Sequence, residues 1–76
     1  MNQTEKLVLG SFEHWNKDKL DLHTLFEAGG NDPEARTEVF YTVEELVKKG
    51  LLQEEGNDFY SLTEKGREAV ERAGSA

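Results

Sequence analysis

The segment that decides the fold runs from Pro33 to Val70 and reads PEARTEVFYTVEELVKKGLLQEEGNDFYSLTEKGREAV. Its first half places apolar residues at the three- and four-residue spacing that marks one face of a helix. This face carries Val39, Phe40, Val43, Leu46 and Val47. Asp32 is placed to cap the helix, Pro33 fits its first position, and Gly50 suits a left-handed terminator. The pattern therefore predicts a helix over residues 33–49.

The second half of the segment predicts a β-hairpin. Strands over residues 51–55 and 59–62 flank Gly56-Asn57-Asp58, a connection in which glycine supplies a positive φ. Because side chains alternate along a strand, Phe59 is expected to point to solvent. The opposite, buried face is expected to carry Leu52, Tyr60 and Leu62. The alternative for Phe59 is that it folds under the hairpin or packs on the closing helix.

Three further helices are predicted around this segment. The first covers residues 4–17, is capped by Asn2 or Thr4, and has a buried stripe. The second covers residues 21–28 and ends at Gly29-Gly30, and the last runs from its Thr63 cap to about Ala73. The expected buried residues are Val8, Leu9, Phe12 and Trp15 on the first helix, Leu22, Leu25 and Phe26 on the second, and Gly66, Ala69 and Val70 on the last. Residues 74–76 are expected to form a frayed tail.

Three helices, a hairpin and a closing helix in this order resemble the winged-helix (winged helix-turn-helix) domains of small bacterial and archaeal transcriptional repressors. The resemblance rests on Lys49-Gly50-Leu51-Leu52 followed by Tyr60-Ser61-Leu62-Thr63-Glu64-Lys65-Gly66. It covers about residues 4–73, nearly the whole chain. It implies a mostly α fold with a small β-hairpin, comprising a three-helix core, a two-stranded wing and a C-terminal helix. Residues 1–76 are accordingly expected to form a single domain with an ordered core at about 4–73.

Composition narrows the class of protein. The chain has 76 residues and no cysteine, which excludes disulfides and thiolate metal ligands and favours a cytoplasmic protein. No apolar run is long enough to span a bilayer and no leader resembles a signal peptide, so no membrane partner is expected. The net charge is −7, from sixteen acidic and nine basic residues. Such a field repels nucleic acids and other polyanions.

The hairpin is the most acidic part of the chain, since residues 50–62 contain three acids and no base. In the families that this chain resembles, the third helix enters the major groove and the wing carries arginine or lysine for phosphate contacts. Here the wing positions are Gln53, Glu54, Glu55, Asn57 and Asp58. Without cations a wing cannot supply the counterion release that dominates affinity for duplex DNA. This departure favours a protein partner over DNA.

We therefore predict a partner-binding surface on the third helix and the wing. Tyr41 and Phe59 are aromatic residues on faces expected to be wet, where they would serve as interface anchors. The whole predicted surface comprises Glu34, Thr37, Glu38, Tyr41, Glu45, Glu54, Glu55, Asn57, Asp58 and Phe59.

The alternative is a DNA-binding regulator, expected to be a homodimer through the first and last helices. Its DNA contacts would come from Arg36, Thr37, Tyr41 and Asn57. Otherwise Arg36 is expected to pair with Asp32 or another acid. A basic patch away from the wing is a further alternative, formed from Lys6, Lys17, Lys19, Arg36, Arg67 and Arg72.

No catalytic, metal or cofactor site is predicted. His14 and His23 lie on different predicted helices and no metal-ligand spacing recurs. The acidic residues occupy predicted solvent faces, whereas general acid–base catalysis needs a cleft that raises a carboxyl pKa. No nucleophile constellation or phosphate-binding glycine loop is present. The chain is therefore expected not to be an enzyme, and Trp15 is expected to fill the core.

Overall fold

The structure, a computed structural model, describes residues 1–74. Of the predicted tail at residues 74–76, Gly74 instead ends the last helix, and residues 75 and 76 lie outside the described residues. The described chain is mostly helical, with a small antiparallel sheet of three strands among four helices. In chain order the elements are α1 (Gln3–His14), β1 (Lys19–Asp21), α2 (Leu22–Gly29), α3 (Pro33–Lys48), β2 (Leu52–Gly56), β3 (Phe59–Leu62) and α4 (Glu64–Gly74).

The helix ends confirm the capping predictions. Asn2 and Glu5 form a reciprocal capping box at α1, in which the Glu5 N–H donates to Asn2 Oδ1 over 2.8 Å. Asp21 caps α2, and Asp32 caps α3 by accepting from the Ala35 N–H at 2.7 Å. At the start of α4, the Thr63 hydroxyl oxygen accepts from the Gly66 N–H at 3.0 Å. Each of these caps joins residues that are close together in the sequence.

The third strand, β1, is a feature that the sequence-based prediction missed. The strand order is β1-β3-β2, and both pairs are antiparallel, so β3 is central. Leu20 of β1 lies opposite Tyr60 and is buried with it. Because β1 has only three residues and one buried side chain, it shows no alternating pattern in the sequence. Pairing with β3 creates this strand.

The core lies where α1, α2 and α3 meet the inner face of the sheet. It comprises Val8, Leu9, Phe12, Leu20, Leu25, Val39, Val43, Leu46, Leu52 and Tyr60. Leu22, Phe26, Val47, Leu62 and Val70 are partly buried against it. Most of the predicted core residues are thus confirmed.

The prediction that Trp15 and Phe40 lie in the core is wrong. Trp15 is 48% exposed; it lies directly after α1, which ends at His14 rather than at residue 17, and Asn16 then takes a positive φ of 53°. Phe40 is 40% exposed, because it lies about 100° around α3 from Val39, at the edge of the buried stripe. Thr42, on the other edge, is buried instead. Among the described helices, none is long and apolar enough to cross a membrane.

Candidate functional site

The hairpin ends in a tight turn that is fixed against α2. Asn57 and Asp58 have φ values of 52° and 63°, in the left-handed region that a type I′ turn requires at both central positions. The peptide N–H of Leu22, the first residue of α2, donates to the carbonyl oxygen of Asp58 over 2.8 Å. The tip of the hairpin therefore has a defined position relative to α2.

A cleft of about 300 Å³ separates this turn from α2 and the start of α3. Its walls combine aromatic rings with charged and amide groups. The lining residues are Asp21, Leu22, His23, Phe26, Arg36, Asn57, Asp58 and Phe59. Of the predicted binding residues, the structure thus brings Arg36, Asn57, Asp58 and Phe59 together. Phe59 is 40% exposed, as predicted.

Arg36 lies over an aromatic ring rather than beside an acid. Its guanidinium carbon is 5.4 Å from the centroid of the Phe26 ring, within the range of a cation–π interaction. The Asp32 carboxylate accepts a hydrogen bond from the Ala35 N–H instead. The prediction that Arg36 pairs with Asp32 is therefore wrong: within residues 1–74 its guanidinium forms no ion pair with a carboxylate. Its N–H groups remain available on the rim of the cleft.

Carboxylates from both α3 and the hairpin act on the phenol group of Tyr60. Burial raises the pKa of the Tyr60 phenol above its usual range, and the carboxylates of Glu54, Glu44 and Asp58 raise it further. Glu44 therefore belongs to the acidic edge beside the hairpin, although the sequence-based prediction omitted it. Its interaction with Tyr60 of β3 places it on the side of α3 that borders the sheet. The place of Glu44 beside the hairpin depends on how the sheet packs against α3, so the sequence alone does not show it.

The exposed face of α3 divides into two sides. All five predicted residues of this face, Glu34, Thr37, Glu38, Tyr41 and Glu45, are exposed. Glu38 borders α1, since its carboxylate accepts from the Thr4 hydroxyl at 3.0 Å. Arg36 and Glu44 border the hairpin instead, as described above. Tyr41, which is 65% exposed and contacts the Phe40 ring edge to face at 6.0 Å, lies between these sides.

The two hairpin glutamates project from opposite faces of the sheet. Glu55 lies on the outer face, where its carboxylate accepts from the Ser61 hydroxyl at 2.7 Å. Glu54 lies opposite Tyr60 in the β2–β3 register, on the side of the sheet that borders α3. The predicted acidic surface is therefore divided, and the Glu54 side is the one continuous with α3.

The basic residues are interleaved with acids. Arg67 pairs with Asp18 at 3.2 Å, across a groove of about 690 Å³ between the end of α1 and α4. Arg72 pairs with Glu68 at 3.8 Å. Arg36 is separated from these pairs, beside Phe26. Of the six cations considered for a basic patch, these three arginines lie in different surroundings, whereas Lys17 lines the same groove as Arg67.

The two histidines lie on separate helices. The His14 ring contacts the Trp15 ring at 5.2 Å, and His23 Nε2 lies 3.3 Å from a Glu27 carboxylate oxygen. Within the described part of the chain, no group of three or more potential ligands is arranged to hold a metal ion.

In comparisons with known proteins, no family model, no curated protein and no solved structure matches this chain. Geometry and charge therefore carry the interpretation of the surface.

Proposed function

We propose that this chain is a non-catalytic winged-helix module that binds a protein partner through its wing and the adjacent side of α3. The wing is the hairpin formed by β2 and β3. The element order α1-β1-α2-α3-β2-β3-α4 and the sheet order β1-β3-β2 support a winged-helix arrangement. In that arrangement α3 and the wing form one working face.

The observation that carries the proposal is that acidic side chains and exposed aromatic rings occur together on α3 and the wing. Glu44, Glu54 and Asp58 act together on Tyr60, so their fields overlap. Tyr41 and Phe59 retain exposed fractions of 65% and 40%. Exposed aromatic residues serve as interface anchors, and an acidic rim selects a basic partner and accelerates its association.

The partner surface that fits is basic or of mixed charge and carries apolar side chains. Tyr41 and Phe59 would bury their rings on the partner. Glu44, Glu54 and Asp58 would pair with partner lysine or arginine. Charged pairs at the rim chiefly affect the association rate, so binding should weaken as salt rises.

Site-specific photo-crosslinking tests the proposal. A photoreactive phenylalanine analogue placed at position 41 or 59 should capture the same protein in cells. The same analogue at position 72, whose side chain is 82% exposed on α4, is the matched control. With the captured protein purified, Tyr41→Ala should weaken binding at least tenfold while the free energy of unfolding changes by less than about 0.5 kcal/mol. A partner captured equally from position 72, or bound unchanged by Tyr41→Ala, would refute the proposed surface.

A DNA-binding winged-helix regulator is the second candidate, favoured by one specific observation. Arg36 and Asn57, two of its predicted contacts, line the same cleft, and the Arg36 guanidinium carries no ion pair with a carboxylate of residues 1–74. Thr37 and Tyr41 would complete the contact surface on α3. Fluorescence anisotropy with a labelled generic duplex at about 50 mM salt tests this candidate. Binding that Arg36→Ala abolishes would support it, and no binding at tens of micromolar protein would exclude it.

A further inference from the structure

We propose that two copies of this chain associate through the groove between α1 and α2, with Gly10 at the centre of the contact. This surface is separate from the acidic face of α3 and the wing. The inference is independent of the partner proposed above. It also differs from a dimer through the first and last helices, because α4 does not contribute to the groove.

The groove presents large apolar side chains that the fold leaves uncovered. It measures about 530 Å³, within the range of pockets that hold ligands or inserted side chains. On its α1 wall Leu7 is 39% exposed and Trp15 is 48% exposed. Ala28 of α2 forms part of the opposite wall. An exposed tryptophan next to an exposed leucine is the kind of surface that marks an interaction site.

Gly10 is a second and independent observation. It lies in the interior of α1, where glycine is unfavourable compared with alanine. A Cβ atom at this position would meet nothing within 4 Å, so packing within the chain does not require glycine. A glycine on a partly exposed helix face, as here, does, however, let another helix approach closely. Gly10 supplies a recess beside the projecting Leu7 and Trp15.

A second copy is the occupant that the charges favour. The chain as a whole carries −7, and its acidic face repels the same face of another copy. The groove differs, because Lys6 and Glu27, of opposite sign, both line it. In a two-fold symmetric interface, every contact between two different residues occurs twice, once in each direction. Lys6 of each copy can therefore face Glu27 of the other. In the same way, the projecting Leu7 and Trp15 of each copy can meet the recess at Gly10 of the other.

Sedimentation equilibrium of the full chain from about 1 µM to 1 mM tests the proposal. We expect a reversible monomer–dimer equilibrium, accompanied by a blue shift in the fluorescence of Trp15, the chain's single tryptophan, as concentration rises. Trp15→Ala and Gly10→Leu should each weaken dimerisation at least tenfold. Tyr41→Ala on α3 and Arg72→Glu on α4 are matched controls and should change it less than twofold.

Gly10→Ala separates association from folding. Alanine stabilises the α1 helix, so the melting temperature of dilute protein should rise. The added methyl group fills the recess, so dimerisation should weaken by several fold. A chain that remains monomeric at 1 mM would overturn the proposal. Equally, a dimer insensitive to Trp15→Ala and Gly10→Leu but weakened by Arg72→Glu would assign self-association to α4 and overturn it.

Discussion

Gly66 and Gly10 are both helical glycines, but their surroundings differ. A Cβ atom at Gly66 would overlap the carbonyl oxygen of Leu51 and lie 2.8 Å from Leu62 Cδ1. The backbone of α4 therefore approaches the α3–β2 connection more closely than any side chain allows. Thr63, one turn earlier, reinforces this approach by donating its hydroxyl to the Gly50 carbonyl at 2.6 Å.

Gly66→Ala should consequently destabilise the fold. Since the obstructing atom is backbone, α4 has to shift, and we expect a loss of about 2–3 kcal/mol in the free energy of unfolding. Gly10→Ala is the matched control and should gain about 0.5–1 kcal/mol in dilute protein. Urea denaturation measures both. Equal effects of the two substitutions would contradict the close approach at Gly66.

At the scale of elements, the start of α1 is tied to the end of α3. Glu5 Oε2 lies 3.1 Å from Lys49 Nζ, and only 12% of the Glu5 side chain is exposed. The hydrogen bond from the Asn2 backbone N–H, followed by the Lys49 ammonium, lowers the pKa of the Glu5 carboxyl from its ordinary value, against the opposing effect of burial. The carboxylate thus serves both the cap of its own helix and a contact to another.

This lowered pKa predicts a pH dependence. A carboxyl whose pKa is lower in the folded state stabilises the fold above its unfolded pKa, and the stabilisation is lost as the pH falls through the folded pKa. Glu5→Gln keeps the shape and the capping acceptor but removes the charge. It should reduce the free energy of unfolding by about 0.5–1.5 kcal/mol at pH 7. The difference from the parent protein should shrink as the pH falls through the range in which the carboxyl is protonated, as measured by urea denaturation at pH 7 and pH 3; a difference independent of pH would argue against this role.

At the scale of the whole molecule, the net charge of −7 acts over the full width of the fold. The principal extents are 32 × 26 × 23 Å. The Debye length is about 30 Å at 0.01 M salt and about 10 Å at 0.1 M. Acidic groups on opposite sides therefore repel one another at low salt and are screened at higher salt.

Stability should accordingly rise with ionic strength. Between about 0.01 and 0.1 M sodium chloride we expect a gain of about 0.5 kcal/mol, or about 2–4 °C in melting temperature. Glu54→Gln should reduce the dependence of stability on salt, because Glu54, Glu44 and Asp58 all act on Tyr60 and therefore repel one another. Glu68→Gln is the control, since Glu68 is near Arg72. Calorimetry measures these changes, and a melting temperature that falls with salt would mean that ion pairs outweigh repulsion.

Features that depend on neighbouring residues were predictable from the sequence alone. Asp21 and Asp32 cap their helices as predicted, because a cap needs only a suitable side chain within three residues. The hairpin was predicted to turn at Gly56-Asn57-Asp58, and it turns at Asn57-Asp58, with Gly56 at the end of β2 and a positive φ at all three residues. The periodic apolar stripe identified most of the core, including Val39 and Val43. These are short-range effects, and the sequence by itself determined them.

Only the tertiary structure decided which edge residues became buried and which charges met. β1 exists because β3 lies beside it. Phe40, at the edge of the buried stripe of α3, and Trp15, just after the end of α1, are exposed because no other element covers them. Arg36 meets Phe26, and Glu44 joins the acidic hairpin, through contacts between different elements. Periodicity defines a helix face to within about one residue spacing, or 100°. The exact partners at the boundary of that face depend on how the helices and the sheet pack together.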